Sequence, residues 1–190
     1  MDLLPTPEQT EIIDSSAAFI SAQISIERTR ELFEAGTVPA IADSAWSAAA
    51  DLGWFALGLP EDRNGVGCGL ADEVLLFREI GRWLAPGPFL STVLGARVAA
   101  FGGEQALADE IAAGRRVGLM IAGSLDAIGA DGSVTGDVQL VDADPDGLVL
   151  AVTPDIAALI EVSSLQGVTE LPCLDHTSRL HRASGSGAAP

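Results

Sequence analysis

Lysine and tyrosine are missing altogether from these 190 residues, and only two cysteines occur, Cys68 and Cys173. The lack of lysine excludes Schiff-base chemistry and the lysine of a phosphate-binding loop, and the lack of tyrosine excludes a tyrosine acid or base. Two isolated cysteines build neither a disulfide scaffold nor a thiolate zinc site, which wants about four ligands. Aromatic residues are scarce at 5% while hydrophobic residues reach 48%, so the core must be aliphatic. Positive charge is scarce too. Ten arginines face 27 acidic side chains, giving a net charge of −17 and a pI near 4.1. Such a surface repels phosphate backbones, so no nucleic-acid partner is expected. No apolar run approaches the roughly 18 residues of a membrane span. The opening MDLLPTPEQ has neither the basic nor the apolar region of a secretory signal, and a reducing, cytoplasmic setting is expected. The mean hydropathy of +0.34 is high, which implies apolar surface covered by a partner chain or a further segment.

The chain divides into helices first and strands second. Thr6-Pro7-Glu8-Gln9 is a capping-box start with proline at the first helical position. Apolar residues from Ile12 to Phe33 then recur at helical spacing, in one long helix or two ending near Gly36. Further helices are predicted from Pro39 to Leu52, closing at Gly53, then from Leu70 to Leu84, Phe89 to Phe101 and Glu104 to Ala113. Beyond Gly114 the texture changes. Arg116–Ala122, Ser133–Val141, Leu148–Val152, Ile156–Val162 and Gly167–Leu171 read as short strands between Gly- and Asp-rich turns. An α+β fold follows: a helical domain over 1–115, a small antiparallel β-sheet or barrel over 116–182, and a flexible tail over 183–190.

Local chemistry is sparse. Gly65-Val66-Gly67-Cys68-Gly69 lacks the third glycine and the preceding strand of a dinucleotide fingerprint, and reads as a turn into a helix. Asp175-His176 and His181 have no nucleophile elbow to serve. Cys68 has no nearby histidine or lysine to activate it. Asp142-Ala143-Asp144-Pro145-Asp146 lacks the spacing and closing glutamate of a calcium loop and reads as a solvated turn.

One stretch is more specific. Leu52-Gly53-Trp54, Gly58-Leu59-Pro60-Glu61, Gly65-Val66-Gly67 and Phe77-Arg78-Glu79-Ile80-Gly81-Arg82-Trp83-Leu84-Ala85-Pro86-Gly87-Pro88 follow one another in the order and spacing of the acyl-CoA dehydrogenase family. Leu174-Asp175-His176-Thr177-Ser178-Arg179-Leu180-His181-Arg182 resembles the strand that closes that family's middle domain. The resemblance implies a helical N-terminal domain, a β-barrel middle domain and a C-terminal four-helix domain, the last absent from this sequence. It implies α,β-dehydrogenation of an acyl-CoA thioester, with FAD as the electron sink and a glutamate as base. No position here matches that glutamate, so no catalytic residue is assigned.

The flavin-contact positions of the middle domain depart from the family pattern. Its Thr-Glu-Pro turn is replaced by Gly123-Ser124-Leu125-Asp126. Its second signature keeps Gly136 and an apolar Val141, but has Leu140 in the aromatic position and Asp142 in the hydroxyl position. Ser124, Gly136, Leu140 and Asp142 are thus the candidate FAD contacts, with a ring and a hydrogen-bond donor lost. Ser91 and Leu94, on the helix that walls the family's acyl pocket, are the candidate substrate contacts. Two readings follow. The chain is either a piece of a longer acyl-CoA dehydrogenase, or a degenerate subunit that assembles with flavin-bearing acyl-CoA dehydrogenase chains in a homo- or hetero-oligomer. The drifted signatures favour the second. A non-catalytic acyl-binding or structural subunit on the same fold is the alternative.

Overall fold

A computed structural model of the chain describes residues 4–37, 40–122, 128–129, 132–175 and 177–186. Among these, six helices precede six strands: α1 (Pro7–Gln23), α2 (Ile26–Glu34), α3 (Asp43–Asp51), α4 (Leu70–Arg82), α5 (Phe89–Gly102) and α6 (Gln105–Ala112), then β1 (Val117–Ala122), β2 (Thr135–Val141), β3 (Leu148–Val152), β4 (Ala157–Glu161), β5 (Gln166–Leu171) and β6 (Leu180–Ser186).

The helix ends follow local chemistry. The Thr6 hydroxyl accepts the Gln9 N–H at 3.3 Å, and the Gln9 amide oxygen accepts the Thr6 N–H at 3.1 Å. Gln9 also donates to Asp72 at 2.9 Å, while the other Asp72 oxygen accepts the Gly69 N–H at 2.8 Å, so a single carboxylate caps α4 and ties α1 to it. After α3, Gly53 adopts φ 78 and turns the chain into the 3-10 turn Trp54–Ala56, which drives Trp54 and Phe55 into the core. There Trp46 sits 4.5 Å from the Phe55 ring and 4.9 Å from Phe89. A buried side chain of this size contributes about 2–3 kcal/mol. The Trp46 indole N–H donates to the Gly114 carbonyl at 2.8 Å, and the Arg116 guanidinium lies 5.1 Å above the indole. One tryptophan therefore joins the last helix to the first strand.

The sheet runs β4-β3-β1-β2-β6-β5. Four of its five pairs are antiparallel, as the spacing predicts, but β1 and β3 are parallel. The difference lies in how β2 reaches β3. Instead of folding back beside β2, the chain from Asp142 to Gly147 crosses the beginning of β1 and enters on its far side. The crossing needs a residue without a side chain beneath it: a Cβ on Gly118 would lie 2.8 Å from the Ala143 Cα. The acidic run is therefore not merely a solvated turn, for Asp142 is 6% exposed and Ala143 2%. The expected tail also shortens. Ala183 to Ser186 continue β6, opposite Val138 to Thr135 of β2. Small residues allow this, because a Cβ on Gly185 would collide with the Val134 carbonyl.

β3 is buried on both faces, which accounts for its unbroken apolar sequence. Leu148 and Leu150 face Ala96, Ala99, Ala100 and Ile111 of α5 and α6, while Val149 joins Val138, Leu140 and Ile160 in the core of the sheet.

Candidate ligand-binding cleft

The start of α5 meets the start of β1, and a cleft opens beside that junction. Gly95 allows the approach, since a Cβ there would already touch the Val117 side chain at 3.0 Å. Val117 precedes the first residue of β1 that pairs with β2, Leu119 opposite Val141. Its main chain is held by two hydroxyls of α5 instead: Thr92 accepts the Val117 N–H at 3.1 Å and Ser91 donates to the Val117 carbonyl at 2.6 Å.

Two chambers flank this junction. The smaller, about 210 Å³, is lined by Leu90, Ser91, Leu94, Leu119, Val141 and Val152, with Asp142 and Gly87 at its edge. Its wall is aliphatic, and Leu90 (57% exposed) and Val152 (54%) present apolar surface at its mouth. The larger, about 460 Å³, has a mixed lining: Ile26, Thr29 and Arg30 come from α2, Leu84 to Gly87 from the end of α4 onward, and Asp175, Thr177 and Ser178 from the segment before β6. Asp142 and Gly87 line both chambers.

Leu84 lines the larger chamber from the end of α4. The Leu84 N–H bonds the Gly81 carbonyl at 3.1 Å, and the Ala85 N–H bonds that of Ile80 at 3.0 Å. This is the helix-ending motif whose left-handed residue is usually glycine. Here a leucine at φ 52 occupies it with its side chain 71% exposed, a conformation that costs about 1–2 kcal/mol for a residue with a Cβ.

Asp142 is also left-handed, at φ 51. Its carboxylate accepts the Arg179 N–H at 2.8 Å, and its own N–H donates to the Arg179 carbonyl at 2.9 Å. Burial pushes its carboxyl above the usual carboxylate range. The Arg179 N–H and guanidinium pull the other way, and Asp175 and Asp144 add to the rise.

The structure thus brings Ser91, Leu94 and Asp142 into one cleft. It separates Gly136 and Leu140 from them. Leu140 is fully buried in the sheet core, on the face of β2 opposite Val141. Gly136 lies six residues before Asp142 along β2, about 20 Å of extended chain away. Ser124 lies outside the described residues, as does His176. The Asp142 carboxylate accepts the Arg179 N–H. Cys68 stays a poor nucleophile: burial, then Asp72 and Glu73, push its thiol up. Among the described residues no cluster of His, Cys, Asp and Glu suits a metal ion, and no helix is long and apolar enough to cross a membrane.

The profile for the N-terminal domain of acyl-CoA dehydrogenases matches residues 6–111, more than half of the chain. The chain belongs to the acyl-CoA dehydrogenase family. No curated protein matches its sequence. Solved structures share the fold of both halves. The ChsE4-ChsE5 complex from Mycobacterium tuberculosis aligns at 22% identity and TM-score 0.76, over 99% of this chain and 56% of that one. A glutaryl-coenzyme A dehydrogenase in complex with glutaryl-CoA aligns at 16% identity and TM-score 0.74, over 98% and 55%. Butyryl-CoA dehydrogenase from Megasphaera elsdenii aligns at 15% identity and TM-score 0.69, over 98% and 57%. The chain thus spans little more than half the length of these solved chains. Thr29, Arg30 and Leu84 were not among the candidate site residues read from the sequence. The one signal was Leu84 itself, at a helix end where glycine is the expected residue.

Proposed function

We propose that this chain is the acyl-thioester-holding part of an acyl-CoA dehydrogenase, working with a further polypeptide that supplies the base and the flavin. The observation that carries this reading is the contrast between the two sets of candidate positions. Ser91, Leu94 and Asp142 share one cleft with an aliphatic chamber and a more polar chamber of mixed lining, while Gly136 and Leu140 lie away from it. An aliphatic pocket beside a chamber that mixes apolar and hydrogen-bonding groups suits an acyl chain carried on a longer arm. Ser91 has its hydroxyl engaged by main-chain carbonyls, so its part is to shape the wall, and Leu94 contributes apolar surface. The ChsE4-ChsE5 complex, which shares this fold, gives a precedent for assembly of two different chains. FAD, the acyl-CoA substrate and the partner chain belong to this proposal.

The test is reconstitution. The purified chain is mixed with an acyl-CoA and an artificial electron acceptor, alone and with candidate flavin-bearing acyl-CoA dehydrogenase chains. Turnover only in the mixture supports the proposal. Turnover by the chain alone, or acyl-CoA bound only by the partner, contradicts it. The second reading, a subunit that binds acyl groups without redox chemistry, gains if the complex forms and binds acyl-CoA but no partner yields turnover.

A further inference from the structure

The first helix buries a hydroxyl where its packing calls for an apolar side chain. Ser16 stands four residues after Ile12 and four before Ile20, on the buried face of α1, and is 3% exposed. The buried hydroxyls of Ser91 and Thr92 are bonded to the Val117 main chain. Among the described residues, those of Ser16 and Thr29 have no hydrogen-bond partner. Thr29 belongs to the cleft between α2 and the segment before β6, whereas Ser16 lines a different chamber, about 310 Å³, on the far side of α1.

This chamber shares no lining residue with that cleft. Ile12, Phe19, Leu52, Leu57 and Leu76 give it apolar walls, and Trp54 completes them, with its ring set edge-on to Phe19 at 5.0 Å. Trp54 is 6% exposed, and its indole N–H, unlike that of Trp46, has no partner among the described residues. The unpartnered polar atoms that are wholly sealed from solvent belong to Trp83, Arg116, Arg179 and His181. The Ser16 hydroxyl and the Trp54 N–H therefore keep open space beside them, and the chamber is the space that both residues line. Ser15, the remaining polar residue of the lining, donates its hydroxyl to the Ile12 carbonyl at 3.2 Å.

No ionisable side chain reaches this chamber, on a protein of net charge −17, so its ligand is uncharged. An indole N–H only donates, and a hydroxyl can donate beside it, so the polar end they suit is an acceptor oxygen. We propose that the chamber is a second ligand site, for a small apolar molecule whose ring fills it and whose carbonyl oxygen accepts from Ser16 and Trp54. Leaving two buried donors unbonded costs stability, and a carbonyl in the chamber offsets that cost. The site does not depend on the acyl-thioester reading.

The test uses two probes of one shape, acetophenone and α-methylstyrene, in which a carbonyl oxygen is exchanged for a methylene. Each is titrated into the full chain while the three tryptophan indole N–H resonances are followed by NMR, that of Trp54 being assigned by its loss in Trp54→Phe. Acetophenone should move the Trp54 resonance saturably and leave that of Trp46, already bonded to Gly114, in place. α-Methylstyrene should bind about tenfold more weakly, the weight of a buried hydrogen bond. Ser16→Ala should lose several-fold in acetophenone affinity, leave α-methylstyrene unchanged, and melt no lower than the wild type, because alanine suits the helix better. Ser15→Ala should keep the full preference. The inference is overturned if neither probe moves the Trp54 resonance, as in a chamber that holds only water. It is overturned equally if both probes bind alike, or if Ser16→Ala and Ser15→Ala behave the same.

Discussion

Asp142 and Arg179 hold each other by two hydrogen bonds: the Asp142 N–H donates to the Arg179 carbonyl at 2.9 Å, and the Arg179 N–H donates to the Asp142 side-chain carboxylate at 2.8 Å. The pair locks the end of β2 to the beginning of β6 where the chain leaves to cross β1. The position that the family resemblance gives to a flavin-contacting hydroxyl thus carries a structural clasp.

Asp142→Asn should stabilise the protein at neutral pH. The carboxyl titrates above its ordinary value because of burial, Asp175 and Asp144, against the pull of Arg179. The ionised form is therefore the one the fold disfavours. The penalty is absent below about pH 4, grows as pH rises toward the raised pKa, and is complete above it. Asparagine keeps the oxygen that accepts the Arg179 N–H and tolerates the left-handed backbone. Urea denaturation at several pH values should show the variant ahead at pH 7 and level with the wild type near pH 3.5. A variant weaker at pH 7 would show that the charge itself holds Arg179.

Thr92→Val should cost about 1–3 kcal/mol, the cost of leaving the buried Val117 N–H without an acceptor. Thr92→Ser should recover most of it. The comparison is read from urea midpoints, and equal midpoints for valine and serine would mean that the hydroxyl is not the anchor.

Glu73 is 4% exposed and depends on Arg97 at 2.7 Å. Arg97→Met should cost about 2–3 kcal/mol by stranding the carboxylate, and adding Glu73→Met should return much of that loss. Gly58→Ala should act on the same pair, because a Cβ there meets both the Glu73 carboxylate and the Arg97 guanidinium. A double variant no better than the single one would show that packing, not charge, decides.

Leu84→Gly should raise stability by about 0.5–1 kcal/mol, the left-handed strain relieved less the added entropy of glycine. If the exposed leucine also touches ligand, acyl-CoA affinity should fall in the same variant. A loss of stability would mean that the Leu84 side chain packs more than its 71% exposure implies.

Much of the helical half was legible because its signals are local. Thr6 and Gln9 cap each other, Gly53 stops α3, and Asp72 marks the start of α4. The strands were legible as segments, but their partners were not. Nothing short-range states that Asp142 to Gly147 crosses β1; the only trace is Gly118 inside an otherwise apolar run, and its meaning depends on Ala143 lying above it. β6 ran past its expected end because Ala183 and Gly185 look like linker residues, yet their small size is what close pairing with β2 requires. Asp142 could be named from a motif position, and Ser91 and Leu94 from the helix that walls the family's acyl pocket. Their convergence, and the addition of Arg30 from α2, depend on tertiary packing.

The most direct test of the central claim is the visible absorption spectrum of the purified 190-residue chain after saturation with FAD and removal of the excess. A chain that holds acyl thioester but lacks a flavin cradle should show no band near ~450 nm, and should acquire one only in complex with a flavin-bearing partner. Stoichiometric FAD retained by the chain alone would contradict the account.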